Sequence, residues 1–478
     1  MLWLCISLPQ LPLEALRCQE KEEAIVVTLC EGNRRWVICC NEVAERAGLA
    51  VGMNYTMALA IENRIVMFER KTQAECAALE RLAAWGYQFS STVVVGEVPL
   101  EMQRSRTACI WLEIGASLKL FGGFRRLIER LENQLDCLHY TYRLGIAPTL
   151  EAAALLARTS IRVAITSTAA LYARIRNLPV SRLALTHDIV QQLQMVGIVT
   201  IGAALELPRA AVAKRFGLET SHYFDRLVGA LPDPRPTYRL PEHYEATFDF
   251  GFEVTSTEAL LFPVRRMLHE FSGFLLGRDT ATQRFRLTFV HREHPPTEIN
   301  VGLSTPERST ERFFALVREQ FQRLSLPSPT CELRLTANEF TSPTALQTDA
   351  LNGALQQAEE VTHTLDRIAA RLGEDRVYGL KVTADHRPEA SWTATAVREK
   401  NASLEFPERP LWLLPQPQPL QNSALAALSG RAERIEAGWW SDEDVQRDYF
   451  ILHTSSGADL WVYRDLQNDS WYLHGFWS

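Results

Sequence analysis

The sequence predicts a multidomain α+β protein, and three features of its 478 residues predict it. Through residue 165, short apolar strands alternate with amphipathic helices, the pattern of a mixed sheet with helices packed on it. Residues 246–345 read strand, helix, two strands, helix, strand (βαββαβ). From 411 onward the chain is dense in Trp and Tyr at strand-like spacing, which predicts a small aromatic-rich C-terminal domain. A chain this long exceeds what one hydrophobic core holds.

Composition narrows the class. An apolar fraction of 46% and a charged fraction of 22% are ordinary for a soluble globular protein. The net charge of −7 carries no global basic signature, so a nucleic-acid surface must be a local patch. The nine cysteines are irregularly spaced, and only Cys39 and Cys40 are adjacent. That argues against a zinc site or a disulfide framework and for a reducing, cytoplasmic compartment, with no metal or cofactor expected. The apolar start MLWLCISLPQLPLEAL lacks a basic region and is broken by prolines, so it reads as a buried first strand rather than a leader. No run of about 18 apolar residues predicts a membrane span.

In order, strands are expected at 2–8, 23–29, 35–40, 91–98, 107–114 and 142–146. Helices are expected at 12–15, from 42 to 46, and at 72–87, 124–138 and 151–158. The polar EGNRR turn makes 23–40 a hairpin. Residues 193–217 (LQMVGIVTIGAALELPRAAVAKRFG) read as two short helices crossing at Gly197-Ile198, the second starting after Thr200-Ile201-Gly202. Glycine at 197 permits a positive-φ turn and a close crossing. Backbone N–H groups at the second helix's start would be free for a phosphate, with Arg209, Lys214 and Arg215 adding charge. This is a helix-hairpin-helix pattern; an ordinary αα-hairpin with a glycine turn fits the same residues.

Residues 231–241 (LPDPRPTYRLP) form a stiff, proline-rich linker. Beyond it, the strand 283–292 alternates cleanly. Phe285, Leu287 and Phe289 point inward, and Arg284, Arg286, Thr288 and Arg292 point outward, with Arg334 joining from the last strand. That face either holds nucleic-acid backbone or is a solvated sheet surface. The peptide at 346–352 has Gln347, Asp349 and Leu351 at the spacing of an extended sliding-clamp ligand, though Ala350 is small; a plain loop into a helix at 354–372 is the other reading. A proline-broken extended segment at 409–421 is expected to dock on another surface. In the tail, Trp439 and Trp440, followed by the acidic run 441–444, are the candidate partner surface; the rings could equally be core.

Several segments together resemble the Y-family translesion DNA polymerases. WVICCNEVAERAGLAVGM is similar to the fingers segment, LGIAPTLEAAALLAR to the palm segment GIS-x-N-K-x-x-A, and the hairpin at 193–217 lies where that family keeps its thumb. LEIGASLKLFGG, TIGAALELPRAAVAKRFG, LPDPRP and the C-terminal RIEAGWWSDEDVQRDYF, LWVYRD and WYLHGFW resemble a polymerase-like branch found in the bacterial mutasome. The resemblance implies a right hand of palm, fingers and helix-hairpin-helix thumb, with the βαββαβ unit as a little finger. It divides the chain into palm and fingers (1–165), thumb (166–230), linker (231–245), little finger (246–345), clamp-motif linker and helix (346–410) and an aromatic partner-binding region (411–478).

The polymerase site of that family needs two Mg²⁺ ions held by carboxylates. Mapped by resemblance, Cys5 and Ser7 fall at the metal positions of the first strand, and Ala108 and Cys109 at the carboxylate pair of a later one. No usable Mg²⁺ ligand stands at any of them. Between residues 1 and 187 the only Asp is Asp136. The positions of the family's triphosphate-binding Tyr and Arg carry Glu42 and Glu45, and its phosphate-binding Lys is Leu150. The expectation is a non-catalytic adaptor in damage-induced mutagenesis. By resemblance it binds primer-template DNA and the sliding clamp and recruits an error-prone DnaE-type polymerase and the RecA-like ImuA. The alternative is an active DNA polymerase with relocated carboxylates at Glu14, Glu101 and Glu113.

Overall fold

β1 (Trp3–Ser7) is apolar on both faces and runs inside a four-stranded antiparallel sheet whose other strands come much later in the chain. A short helix, α1 (Leu11–Ala15), leads away to a separate three-stranded sheet. There β2 (Ala24–Glu31) and β3 (Arg34–Cys40) form the expected hairpin. Two small helices follow, α2 (Glu42–Arg46) and α3 (Tyr55–Ile61), each started by an asparagine whose side chain accepts a backbone N–H. β4 (Ile65–Glu69) returns parallel to β2. The sequence reading lacked α3 and β4. β4 pairs with a strand 41 residues earlier, and only that pairing makes four apolar residues and a glutamate a strand.

α4 (Thr72–Gly86) brings the chain back to the first sheet, which β5 (Val93–Val95), β6 (Cys109–Glu113), α5 (Phe124–Cys137) and β7 (Arg143–Ala147) complete in the order β5-β6-β1-β7. Strand alternation divides its residues between two cores. Leu4, Ile6, Ile110 and Leu112 pack under α4 and α5. Cys5, Cys109 and Trp111 face the other way, against α6 (Leu150–Arg158) and the helices beyond.

Those helices are α7 (Thr168–Ile175), α8 (His187–Met195), α9 (Ile201–Leu205), α10 (Arg209–Phe216) and α11 (Leu218–Val228). Residues 231–241 then run extended, as a proline-rich tether should. They are pinned rather than loose. The Tyr238 N–H donates to the Val93 carbonyl (2.8 Å), and Arg235 lies over the Trp111 ring while bonding Glu151 and Asp233.

The βαββαβ unit forms as expected: β8 (Tyr244–Val254), α12 (Thr257–Arg278), β9 (Thr282–His291), β10 (Thr297–Glu307), α13 (Thr310–Phe321) and β11 (Thr330–Ala337). The sheet order is β10-β9-β11-β8, all antiparallel, with both helices covering one face. α14 (Gly353–Leu372) follows, its buried Asp366 accepting the Ser304 N–H.

The computed structural model describes residues 1–16, 23–96, 98, 107–159, 164–342, 353–395, 409–420, 428–438, 444–454 and 457–477, in two compact units, Met1–Arg371 and Leu372–Ser478. The second unit holds a hairpin, β12 (Gly379–Val382) with β13 (Trp392–Thr395), and a five-stranded antiparallel sheet. Its strands are β14 (Trp412–Pro419), β15 (Leu428–Ala437), β16 (Val445–His453), β17 (Asp459–Asp465) and β18 (Ser470–Phe476), in the order β14-β18-β17-β16-β15. The segment expected to dock elsewhere is therefore the edge strand β14. An edge tolerates proline, and the ladder slips between Leu413 and Gln418, where Pro415 and Pro417 cannot donate. Tyr449, Trp461 and Tyr463 are core rings. Among the described residues no helix is long and apolar enough to cross a membrane.

Candidate nucleic-acid interface

The strand positions singled out for metal ligands lie side by side in the first sheet. Ser7 is the ladder partner of Cys109, and Cys5 of Trp111. Cys5, Ser7, Ala108 and Cys109 are all buried, Cys5 completely. Burial pushes the Cys5 thiol well above its usual range, and the neighbouring Cys109 raises it further, so it stays neutral. Leu150 is buried in the same core, and its carbonyl accepts the Trp111 indole N–H at 2.9 Å. A neutral Cys5 thiol, a second thiol, a hydroxyl and a methyl group do not fit hard Mg²⁺ ions, which take oxygen ligands in octahedral geometry. Glu42, exposed on α2, pairs with Arg46, and Glu45 lies on the same helix.

The alternative carboxylates are otherwise engaged. Glu113 accepts three backbone N–H groups, from Leu2 (2.8 Å), Gly115 and Ala116 (both 3.2 Å), tying the end of β6 to the start of β1. Glu14 accepts the Thr141 N–H at 2.7 Å, and burial raises its pKa above the carboxylate norm. Glu101 lies outside the described residues. No group of three or more His, Cys, Asp or Glu side chains among the described residues could hold a metal ion.

The helical hairpin has the expected turn. Gly197 is at φ +79° after α8, with no heavy atom within 4 Å of a would-be Cβ. The second helix start differs from expectation. The Ile198 N–H returns to the Leu193 carbonyl, Ile201 donates to the Leu178 carbonyl, Gly202 to the Arg176 carbonyl, and Ala203 to the Thr200 hydroxyl. The N–H groups of Ile201, Gly202 and Ala203 are thus spent on acceptors at Leu178, Arg176 and Thr200 and are not available to an anion. Gly202 serves packing, because a Cβ there would come within 2.9 Å of the Arg176 carbonyl oxygen. Arg209 is likewise internal. Its guanidinium bonds Asp225 (2.7 Å) and the Leu205 carbonyl (3.3 Å) and lies over the Phe224 ring. Lys214 and Arg215, in the last turn of α10, remain on the surface. Met195 and Val199 expose apolar surface at the hairpin tip.

In the βαββαβ unit the alternation holds: Phe285, Leu287 and Phe289 are buried, and Arg284 and Arg286 are exposed on the uncovered face. Register also brings acids to that face. Arg286 pairs with Glu298 (3.1 Å) and bonds Asn300, and Arg334 pairs with Glu332 (2.9 Å) and Glu245 (3.6 Å). Arg292 pairs with Glu253 at 3.4 Å. Arg284 has no carboxylate partner among the described residues. The sequence reading missed Glu298, Glu245 and Glu253 because each sits on another strand and meets its arginine only once the strands are paired, and it missed Glu332 although that residue is two before Arg334 on β11. Gln347, Asp349 and Leu351, and Trp439 and Trp440, lie outside the described residues.

Residues 13–158 match the model of the impB/mucB/samB family. Two curated relatives, both named Protein ImuB, from two strains of Caulobacter vibrioides, are 26% identical over 470 residues, covering 90% of this chain and 100% of theirs. Among solved structures, DinB from Sulfolobus solfataricus is 13% identical with a TM-score of 0.40, over 72% of this chain and 100% of that one. An insertion ternary complex of Dbh DNA polymerase is 13% identical with a TM-score of 0.41, over 70% and 98%.

Proposed function

We propose that this ImuB-like homologue of the Y-family DNA polymerases is a non-catalytic adaptor of translesion synthesis. It binds primer-template DNA, acts in damage-induced mutagenesis in the cytoplasm, and brings other proteins to the lesion. One observation carries this: the positions matching the family's metal carboxylates and phosphate lysine are Cys5, Ser7, Ala108, Cys109 and Leu150, all buried and none a carboxylate or a lysine. A polymerase needs ionised oxygen ligands on two Mg²⁺ ions at that point, and a site without them cannot stabilise the attacking and leaving oxygens. Every step on DNA is then one of binding and positioning.

In this reading Lys214 and Arg215 neutralise phosphates beside the hairpin tip, and Arg284 contacts backbone on the little-finger sheet. Arg286, Arg292 and Arg334 contribute once DNA competes with their carboxylate partners, while Gly197, Ile198 and Gly202 shape the hairpin and Arg209 holds it together. Gln347, Asp349 and Leu351 would engage the sliding clamp. Trp439 and Trp440 would meet the partners implied by the resemblance, a DnaE-type polymerase and the RecA-like ImuA.

The test is primer extension with Mg²⁺ or Mn²⁺ and all four nucleotides, beside a gel shift on the same primer-template. Binding without extension is expected. Extension abolished by Glu113→Ala would overturn the reading in favour of an active polymerase with relocated carboxylates.

A further inference from the structure

On the helix-covered side of the first sheet, a cavity of about 470 Å³ opens between α5, the turn before it and the end of α12. Its lining is Gln88, Leu120, Phe121, Arg126, Arg130 and Leu276. We propose that this cavity docks an acidic segment of a protein partner, with an apolar side chain seated against Leu120, Phe121 and Leu276 and carboxylates on Arg126 and Arg130.

Four features select that occupant. Arg126 and Arg130 have no carboxylate partner among the described residues; the nearby Glu129 is taken by Arg125 at 2.9 Å. Arg130 lies 5.7 Å from the Phe121 ring centroid, so its charge is held at the cavity wall. α5 begins at Gly123 without a side-chain cap, and its N-terminal dipole adds positive potential. Leu120 is 82% exposed at the cavity mouth, which leaves its side chain open to an apolar group of the partner. Nucleic acid is the poorer fit. The cavity lies on the face of the first sheet opposite Cys5 and Cys109 and beside a little-finger helix, whereas the proposed DNA contacts are on the uncovered sheet face and the hairpin.

The experiment pans a phage-displayed library of random peptides against the full chain, then measures the enriched peptides by fluorescence anisotropy. Peptides rich in Asp and Glu around a large apolar residue are expected. Their affinity should fall at least tenfold in Arg126→Glu/Arg130→Glu and severalfold in Leu120→Ala, which leaves every charge in place. The primer-template gel shift should be unchanged in both variants, so failure here is distinguishable from failure of the DNA-binding reading. The proposal is overturned by enrichment of non-acidic peptides, by no enrichment over the charge-reversed variant, or by equal binding to wild type and variants. Loss of the gel shift in the charge-reversed variant would overturn it by assigning the patch to nucleic acid.

Discussion

Arg81 on α4 and Glu270 on α12 meet at 3.1 Å (Nε to Oε2) in a seam closed to solvent between the first sheet's helices and the βαββαβ unit. The approach is an ion pair rather than a well-aimed hydrogen bond, since the Arg81 Nε has no bond of good geometry. Arg266, one turn before Glu270, lies 3.6 Å from the same carboxylate and 4.3 Å from the Tyr140 ring centroid. Two guanidiniums thus share one buried carboxylate. Close backbone approach makes the cluster possible: a Cβ at Gly273 would stand 2.4 Å from Trp85, and one at Gly277 2.8 Å from Tyr87.

The first prediction concerns that seam. Removing one partner of a buried pair leaves the others uncompensated, at a cost of about 3–5 kcal/mol. Glu270→Ala should therefore lower the denaturant midpoint of the unit Met1–Arg371 strongly, and Gly273→Val should do so by wedging the helices apart. A loss below about 1 kcal/mol in Glu270→Ala would mean that water reaches the seam, as at an exposed pair.

The arginines of the helical hairpin separate into two roles. Arg209→Ala should destabilise the fold by about 1–3 kcal/mol, because its bonds to Asp225 and the Leu205 carbonyl are internal and charge-assisted. It should leave the salt dependence of DNA binding nearly unchanged. Lys214→Ala/Arg215→Ala should do the reverse, with normal unfolding and a salt slope lower by about 2, roughly one per cation. Thermal melts and gel shifts across a salt series on both variants decide it. A changed slope in Arg209→Ala alone would place that guanidinium on DNA.

This division shows where the sequence was legible and where it was not. Glycine at 197 and the alternation of 283–292 are local signals, and both features formed as read. The engagement of Gly202 was hidden because its acceptor belongs to Arg176, just past the end of α7. Arg209 looked like surface charge because its partner, Asp225, comes 16 residues later. The first strand was read as buried, but the meeting of Cys5 and Cys109 could not be read from either strand alone, since both strands are largely continuous apolar runs and only the pairing of β1 with β6 brings the two thiols together. Local patterns named the elements, whereas the state of each polar group depended on contacts between elements.

On the little-finger sheet the acids should act as competitors for DNA. Arg284→Ala should weaken binding and reduce the salt slope by about 1. Arg286→Ala should cost less, because its guanidinium must first leave Glu298. Glu298→Gln frees that guanidinium and should tighten binding. A titration of fluorescent primer-template against the three variants checks the order, and weaker binding by Glu298→Gln would contradict the proposed contact face.

In the second unit, acid sensitivity should trace to His474. Its ring is buried, accepts or donates a 2.8 Å hydrogen bond with the Tyr449 hydroxyl, and stacks on Trp461. Burial pushes its pKa down to about 4, with Glu389 opposing and Arg447 reinforcing the shift. A histidine depressed in the fold is neutral there while the unfolded chain already binds a proton, so stability is full above the unfolded pKa of about 6.5 and is lost as pH falls toward 4. The two pKa values bound the loss at roughly 3 kcal/mol by pH 4. Urea titrations of the full chain at several pH values, followed by tryptophan fluorescence, should show a transition that weakens between pH 6.5 and 4. His474→Gln, which keeps a hydrogen-bonding side chain but no titration, should flatten that dependence. An unchanged pH profile in the variant would assign the acid sensitivity to other groups.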